Sequence, residues 1–175
     1  MRKTNATFNA ACELLEKLQG PTTYVMSALR TLDPIQYDLV QKVYQFRQEN
    51  IPSARALAKI DAGMFYEGRE IQFNRYSLPH YDSGDPHLAW ALSLYFGTFG
   101  KCVIKFPQIA VEVTVRPGDF CAWRGRDLVH CAETWEEGER CLLVHFTHKA
   151  LWDAAAVTCD TGKAVWHTPP PRTAK

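Results

Sequence analysis

The spacing of hydrophobic residues changes near Gly63. Before it, apolar residues recur every three or four positions. After it, they alternate or form short blocks. From Thr7 to Gln19, Phe8, Ala11, Leu14, Leu15 and Leu18 fall at helical spacing, and Gly20-Pro21 is expected to end that helix. Asp33-Pro34 reads as an N-cap followed by proline at the first helical position. Ile35, Leu39, Val43 and Phe46 then form a stripe, flanked by Tyr37, Val40 and Tyr44, and Asn50-Ile51-Pro52 closes it. Ser53 to Ala62 predicts another short helix. Such helices can cover a substrate site or buttress a sheet, and the stripes favour the buttress.

Beyond Gly63 the pattern predicts strands. Glu70 to Tyr76 reads as extended, and Leu88 to Phe96 is an apolar run broken by Gly97 and Gly100. Val103–Phe106 and Ala110–Val115 follow; in the latter, Val111, Val113 and Val115 alternate with Glu112 and Thr114, the pattern of a half-exposed strand. Arg116-Pro117-Gly118-Asp119 is a turn with proline at its second position. Phe120–Trp123, Leu128–Trp135 and Arg140–His148 complete the set, separated by turns at Arg124-Gly125-Arg126 and Glu136–Glu139.

The last strand is apolar on both faces. Leu142, Val144 and Phe146 share a side with Arg140, while Cys141, Leu143 and His145 take the other. A strand buried on both faces needs a sheet in front and a layer behind. The expected fold is therefore α+β and mainly β: a jelly-roll core, with N-terminal helices packed on one sheet. One domain is expected over 1–175, with helical support in 1–62 and the core in 63–150. The span 151–175 would hold the end of a C-terminal helix (Lys149–Val157) and a mobile Pro-rich tail.

Composition narrows the class. A chain of 175 residues with five Trp can bury a core of its own. The formal net charge of +1 excludes a bulk basic signature of nucleic-acid binding, though not a local groove. The six cysteines (12, 102, 121, 131, 141, 159) form no C-x-x-C pair and read as reduced, which implies an intracellular protein. No apolar region follows the basic start Met1–Lys3, so no signal peptide is expected, and no apolar run approaches membrane-spanning length.

The candidate chemistry lies between His80 and Arg140. His80 and Asp82 project to one side of extended chain, and His130 lies elsewhere in the sequence. Two imidazoles and one carboxylate are the facial triad of a ferrous ion with open positions. Arg140 offers a planar fork for a carboxylate, and burying it costs several kcal/mol unless it is paired. A bound dicarboxylate would be that partner; Glu133 and Glu139 are the internal alternatives. The spacing places His130 and Arg140 on two arms of one hairpin. Tyr76 and Asn74 share the His80 face and are candidate co-substrate contacts or packing residues, with Arg75 facing away. Trp123, Arg124 and Arg126 form an aromatic-basic cluster that would clamp a nucleic acid or simply turn the chain over a core tryptophan. His87, His145, His148 and His167 read as structural or surface residues, and Cys131 alternates away from the metal position.

His80-x-Asp82, the segment Tyr95 to Gly100, Arg116-Pro117-Gly118-Asp119, Arg124-Gly125, His130 and Glu139-Arg140 through His148 resemble Fe(II)/2-oxoglutarate dioxygenases. Within that superfamily the chain is most similar to the TET/J-binding-protein-like branch in its small, fungal-type forms. The resemblance spans about residues 70–150. It implies a double-stranded β-helix, iron held by His80, Asp82 and His130, 2-oxoglutarate held by Arg140, and O2 as the third reactant. It further implies oxidation of a methyl group on 5-methylcytosine or thymine in DNA, with the base flipped into the pocket. Tyr81 and Trp123 would pack near that base, and Arg124, Arg126 and Lys101 would meet phosphates. Lys101 is a departure, standing where such proteins usually have a second glycine after Gly100. A nuclear location would follow from a DNA substrate. Two other readings stay open: the same core hydroxylating a protein side chain, as prolyl-hydroxylase-like relatives do, and a cupin-like module binding a metal or ligand without turnover. The oligomeric state is not legible.

Overall fold

The computed structural model describes residues 2–157, with side chains from Ala6 onward. The expected tail from residue 158, with Cys159 and His167, lies outside the described residues. Four helices come first: α1 (Arg2–Lys17), α2 (Gln19–Leu32), α3 (Pro34–Asn50) and α4 (Pro52–Leu57). Eight strands follow: β1 (Gly68–Phe73), β2 (Ser77–His80), β3 (Ala91–Gly97), β4 (Cys102–Phe106), β5 (Val111–Val115), β6 (Phe120–Trp123), β7 (His130–Ala132) and β8 (Arg140–Phe146). Helix α5 (Lys149–Ala154) closes the described chain.

The strands make two antiparallel four-stranded sheets, ordered β1-β8-β3-β6 and β2-β7-β4-β5. β1 pairs with β8, β2 with β7, β3 with β6 and β4 with β5. This is the pairing of one long hairpin closed at the β4–β5 connection, whose two arms pass together from sheet to sheet. Apolar side chains from both sheets meet between them: Tyr95, Trp123 and Leu142 from the first, and Ile104, Phe106, Val115 and Ala132 from the second. Burying such side chains is the main force holding two sheets face to face.

The helices form a further layer. Val25, Met26 and Leu29 of α2 and Val40 and Val43 of α3 cluster with Leu92 of β3 and Trp152 of α5. They cover the outward face of the first sheet, as the two-sided burial of β8 requires. His145, fully buried on that face, touches Thr22 of α2 at 3.4 Å. Arg69 completes the contact, donating to Thr22 (2.8 Å) and pairing with Asp61 (2.6 Å). Burial beside Arg69 holds the His145 imidazole neutral, with its pKa lowered to about 3.

Several expectations change. Gly20-Pro21 does not end a helix; it lies in the first turn of α2, where proline's missing N–H costs nothing. The α1 stripe is largely unburied, with Phe8 61% exposed. Asp33 caps α3 as expected, its carboxylate accepting from Gln36 N–H at 2.9 Å. The buried face of α3 is rotated, however: Ile35 is exposed and Gln36 is buried. Gln36 is satisfied there, donating to Tyr66 (2.7 Å) and accepting from Trp90 N–H (3.0 Å), while the Trp90 indole donates to Asp33 (3.1 Å). The strand expected over Glu70–Tyr76 breaks at Asn74, which adopts φ 46°. The strand expected over Leu128–Trp135 shortens to β7. β7 and β8 lie in different sheets, so His130 and Arg140 are not on arms of one hairpin. No described helix is long and apolar enough to cross a membrane.

The helical layer should divide energetically. Leu29→Ala removes a fully buried side chain and is expected to cost about 2–5 kcal/mol in urea unfolding. Phe8→Ala should stay within about 0.5 kcal/mol. Comparable losses would mean that α1 is packed as firmly as α2.

Candidate metal centre and its cavity

Among the described residues β2 is an edge strand, with β7 its only neighbour in the sheet. Their register sets His80 directly opposite His130, with ring centroids 4.4 Å apart. Asp82 lies just past the end of β2, where its N–H donates to the Gly125 carbonyl at 2.9 Å. The glycine is needed: a Cβ at Gly125 would overlap the Asp82 carboxylate. That carboxylate stands between the imidazoles. One oxygen is 3.6 Å from His80 Nε2 and the other 3.6 Å from His130 Nε2. The three donor atoms lie within 4.8 Å of one another.

Both histidines are oriented in the same way. His80 Nδ1 bonds the Leu78 carbonyl (2.7 Å), and His130 Nδ1 bonds the Leu128 carbonyl (3.0 Å). A carbonyl only accepts, so each Nδ1 carries the proton and each Nε2 keeps its lone pair. His130 is buried against Trp123, with ring centroids 5.2 Å apart. That burial lowers its pKa from the ordinary histidine value, against the opposing pull of the Leu128 carbonyl and Asp82. Neutral imidazole lone pairs beside a carboxylate are the donor set of a divalent transition metal, and two histidines with one carboxylate suit ferrous iron.

The triad lies on the wall of a cavity of about 630 Å³ between the β1–β8 and β2–β7 edges of the sandwich. Arg140 reaches the same cavity from β8. It is 2% exposed. Its Nη1 donates to the Arg75 carbonyl at 2.7 Å, and its Nε has no partner among the described residues. The guanidinium lies 5.6 Å from the Trp135 ring and 5.8 Å from the Tyr95 ring, and the buried Tyr95 hydroxyl also lacks a partner. Neither internal alternative neutralises it. Glu133 pairs with Lys105 at 2.9 Å, and Glu139 is exposed. A buried cation in a cavity, with an open Nε donor and no carboxylate beside it among the described residues, suits an anion.

The other sequence candidates divide. Tyr76, Tyr81 and Trp123 line the cavity; Tyr76 packs on Trp135 (4.6 Å), and the Tyr81 hydroxyl accepts from Gln108 at 2.6 Å. Arg75 also lines it, contrary to expectation, with its guanidinium on Glu70 at 2.6 Å. Asn74 does not line it; its side-chain oxygen accepts the Arg140 N–H at 2.7 Å and so holds the start of β8. Arg124 lies over the Trp90 ring at 4.9 Å, Arg126 donates to the Ser83 carbonyl at 2.5 Å, and Lys101 pairs with Glu136 at 3.0 Å. None of these three lines the cavity. His87 pairs with Asp127 at 2.7 Å. Cys131 is buried and reaches the cavity wall.

The cavity also holds Asp85, which sequence reasoning passed over, Phe146, expected on the Arg140 side of β8, and His148, expected to be structural or at the surface. Asp85 is buried, with His148 Nδ1 3.9 Å from its carboxylate. Burial, then the charges of Asp82 and Glu67, raise the Asp85 carboxyl to about 7. His148 is fixed through its backbone N–H, which donates to Glu67, and through Lys149 N–H, which donates to the Gly84 carbonyl at 2.8 Å. The sequence signal was the spacing Asp82-x-x-Asp85, too common a pattern to single out.

No known family's sequence profile matches the chain, and no curated protein matches it. Among solved structures, NgTET1 in complex with 5mC DNA is similar at 18% identity, covering 78% of this chain and 68% of that one, with a TM-score of 0.45. Protein NMB1881 from Neisseria meningitidis is similar at 15% identity, covering 46% of this chain and 76% of that one, with a TM-score of 0.30. The functional reading therefore rests on the geometry of the site.

Asp85 gives that geometry a measurable signature. Its folded pKa lies above the ordinary 3.8, so between these values the folded chain holds a proton that the unfolded chain has released. Its contribution to stability is fully present below about pH 4 and is lost as pH rises to about 7. Asp85→Asn should remove that fall. Relative to wild type it should gain a few kcal/mol across the window, at about 1.4 kcal/mol per unit, in urea unfolding without added metal. Identical pH slopes for the two proteins would contradict the assignment.

Proposed function

We propose that the chain is an Fe(II)- and 2-oxoglutarate-dependent dioxygenase with a double-stranded β-helix core, oxidising the methyl group of a methylated pyrimidine in DNA. One observation carries the reading: an unneutralised buried guanidinium, Arg140, shares a cavity with a two-histidine, one-carboxylate cluster. The strand order β1-β8-β3-β6 facing β2-β7-β4-β5 supports the jelly-roll reading of the core.

In this reading His80, Asp82 and His130 hold the iron, and Arg140 takes the distal carboxylate of 2-oxoglutarate, with the Tyr95 hydroxyl beside it as a further donor. When bound, the iron, the 2-oxo acid and O2 supply the oxidising chemistry for a C–H bond. The protein's own contribution is placement and dryness. Trp123 and Phe106 exclude water behind His130. Asp85 and His148 offer polar contacts to a substrate's hydrogen-bonding edge. Phe146, in ring contact with His148 at 5.2 Å, gives an aromatic base an apolar wall. The cavity volume is that of a small-molecule or nucleoside site. Of the cations considered for phosphate, Arg75 at the cavity is tied only by an exposed pair with Glu70, whereas Arg124, Arg126 and Lys101 are engaged away from it. Strand binding should accordingly be modest and sensitive to salt.

The test is succinate release and nucleoside mass spectrometry with iron, 2-oxoglutarate and 5-methylcytosine DNA. Wild type should give hydroxymethylcytosine. Ala at His80, Asp82 or His130 should abolish both iron binding and product. Arg140→Ala should raise the 2-oxoglutarate requirement on the order of a hundredfold, the value of a charged pair worth a few kcal/mol. Succinate without an oxidised base would transfer the activity to another substrate; unchanged iron affinity in the three triad variants would remove the metal assignment.

A further inference from the structure

The turn from Arg124 to Leu128 carries two of the arginines that the sequence offered for phosphate. We infer that this turn instead positions the metal ligands, and that Gly125, Arg126 and Asp127 are positioning residues that set metal affinity without touching the ion. The inference rests on the reading of His80, Asp82 and His130 as a metal site.

Two of the three ligands take their orientation from this one turn. The Gly125 carbonyl accepts the Asp82 N–H at 2.9 Å, and the space left by its absent side chain is filled by the Asp82 carboxylate. The Leu128 carbonyl fixes the His130 ring through Nδ1 at 3.0 Å. The turn is closed on itself, since the Arg124 carbonyl accepts from Asp127 N–H (3.0 Å) and Leu128 N–H (2.9 Å). Local backbone bonds thus help to fix the spacing between the two carbonyls.

The turn is also fastened to the segment that follows Asp82. Arg126 Nη1 donates to the Ser83 carbonyl at 2.5 Å. The Asp127 carboxylate accepts the Leu88 N–H at 2.6 Å and bonds His87 Nδ1 at 2.7 Å. Leu88 adopts φ 66°, a left-handed conformation unfavourable for its side chain. Its N–H bond to Asp127 helps hold that conformation. The side chains of Arg126 and Asp127 thus secure one segment, Ser83 to Leu88, which begins directly after Asp82. Releasing either fastening lets Asp82 move relative to His130, and a metal site is sensitive to sub-ångström changes of that kind.

The experiment is Co(II) titration of the full chain, read by the cobalt absorption spectrum, with the thermal unfolding midpoint of the metal-free protein measured in parallel. Wild type should bind one Co(II). Arg126→Ala and Asp127→Ala should bind about 10–100-fold more weakly, the usual range for losing an outer hydrogen-bonding partner of a metal site. Their spectra at saturation should be altered, which a loss of stability alone would not produce. Asp127→Asn keeps an acceptor for Leu88 N–H and should recover part of the affinity. Gly125→Ala should be the weakest binder. If it fails to fold, Arg126→Ala, which loses one side-chain bond, decides the matter. Wild-type affinity and spectrum in both Arg126→Ala and Asp127→Ala would overturn the inference while leaving the metal site standing. Absence of Co(II) binding by wild type would overturn the metal reading itself, and the inference with it.

Discussion

The alternation of side chains along β8 couples the three layers of this protein. On one face Leu142 and Val144 join the core between the sheets, with Arg140 and Phe146 at the cavity. On the other, Leu143 and His145 lie buried beneath the helical layer. Because the period of a strand is two, no residue of β8 can shift without moving both faces. β8 is also hydrogen-bonded on both edges, to β1 and to β3. Arg140 thus has a rigid base, and Asn74 fixes its backbone from the side. A cation held this firmly cannot relax toward solvent to escape burial.

The site works against the stability of the fold around it. Arg140 keeps open donors, Asp85 is a carboxylate forced toward neutrality, and Tyr95 buries an unbonded hydroxyl. Each is a group that burial penalises. Away from the cavity, Gln36, Tyr66, Trp90 and Asp33 form a bonded polar seam between α3 and the start of β3. Arg69, Asp61 and Thr22 are bonded to one another between β1 and α2, and His145 of β8 meets Thr22 through Nε2 while its Nδ1 has no partner among the described residues. Tyr95, Trp123 and Arg140 each bring a buried unpartnered atom to this one cavity, and a buried cation there without an anion is the physical mark of a binding site.

What could be read from the sequence was what local chemistry encodes. Asp33-Pro34 announced a helix start because a cap acts within one turn. His80 and Asp82 were legible because two positions along extended chain share a side. The two-sided burial of β8 called for a layer behind the sheet, and α2 and α3 form one. What escaped depended on partners far away in the chain. The burial of Gln36 depends on Tyr66 and Trp90, and the inward placement of His148 on Glu67 and Gly84. Arg124, Arg126 and Lys101 looked like free cations because a sequence does not display Trp90, Ser83 or Glu136 beside them. His130 and Arg140, ten positions apart, looked like a hairpin because nothing local says that the chain changes sheets between them.

His80 lies on the outermost strand of its sheet, and β2 is joined to β7 at only two registered positions, with an irregularity between them. Among the described residues one side of β2 has no neighbouring strand, and Leu78 beside the ligand is 81% exposed. Such a margin breathes, because few bonds must open to free it. An ion held by His80 on this margin and His130 on the interior strand would act as a clasp across a lightly paired seam of the sandwich. Loading the metal and docking the edge strand would then be one equilibrium, so that whatever starves the protein of metal also loosens the wall of its own cavity.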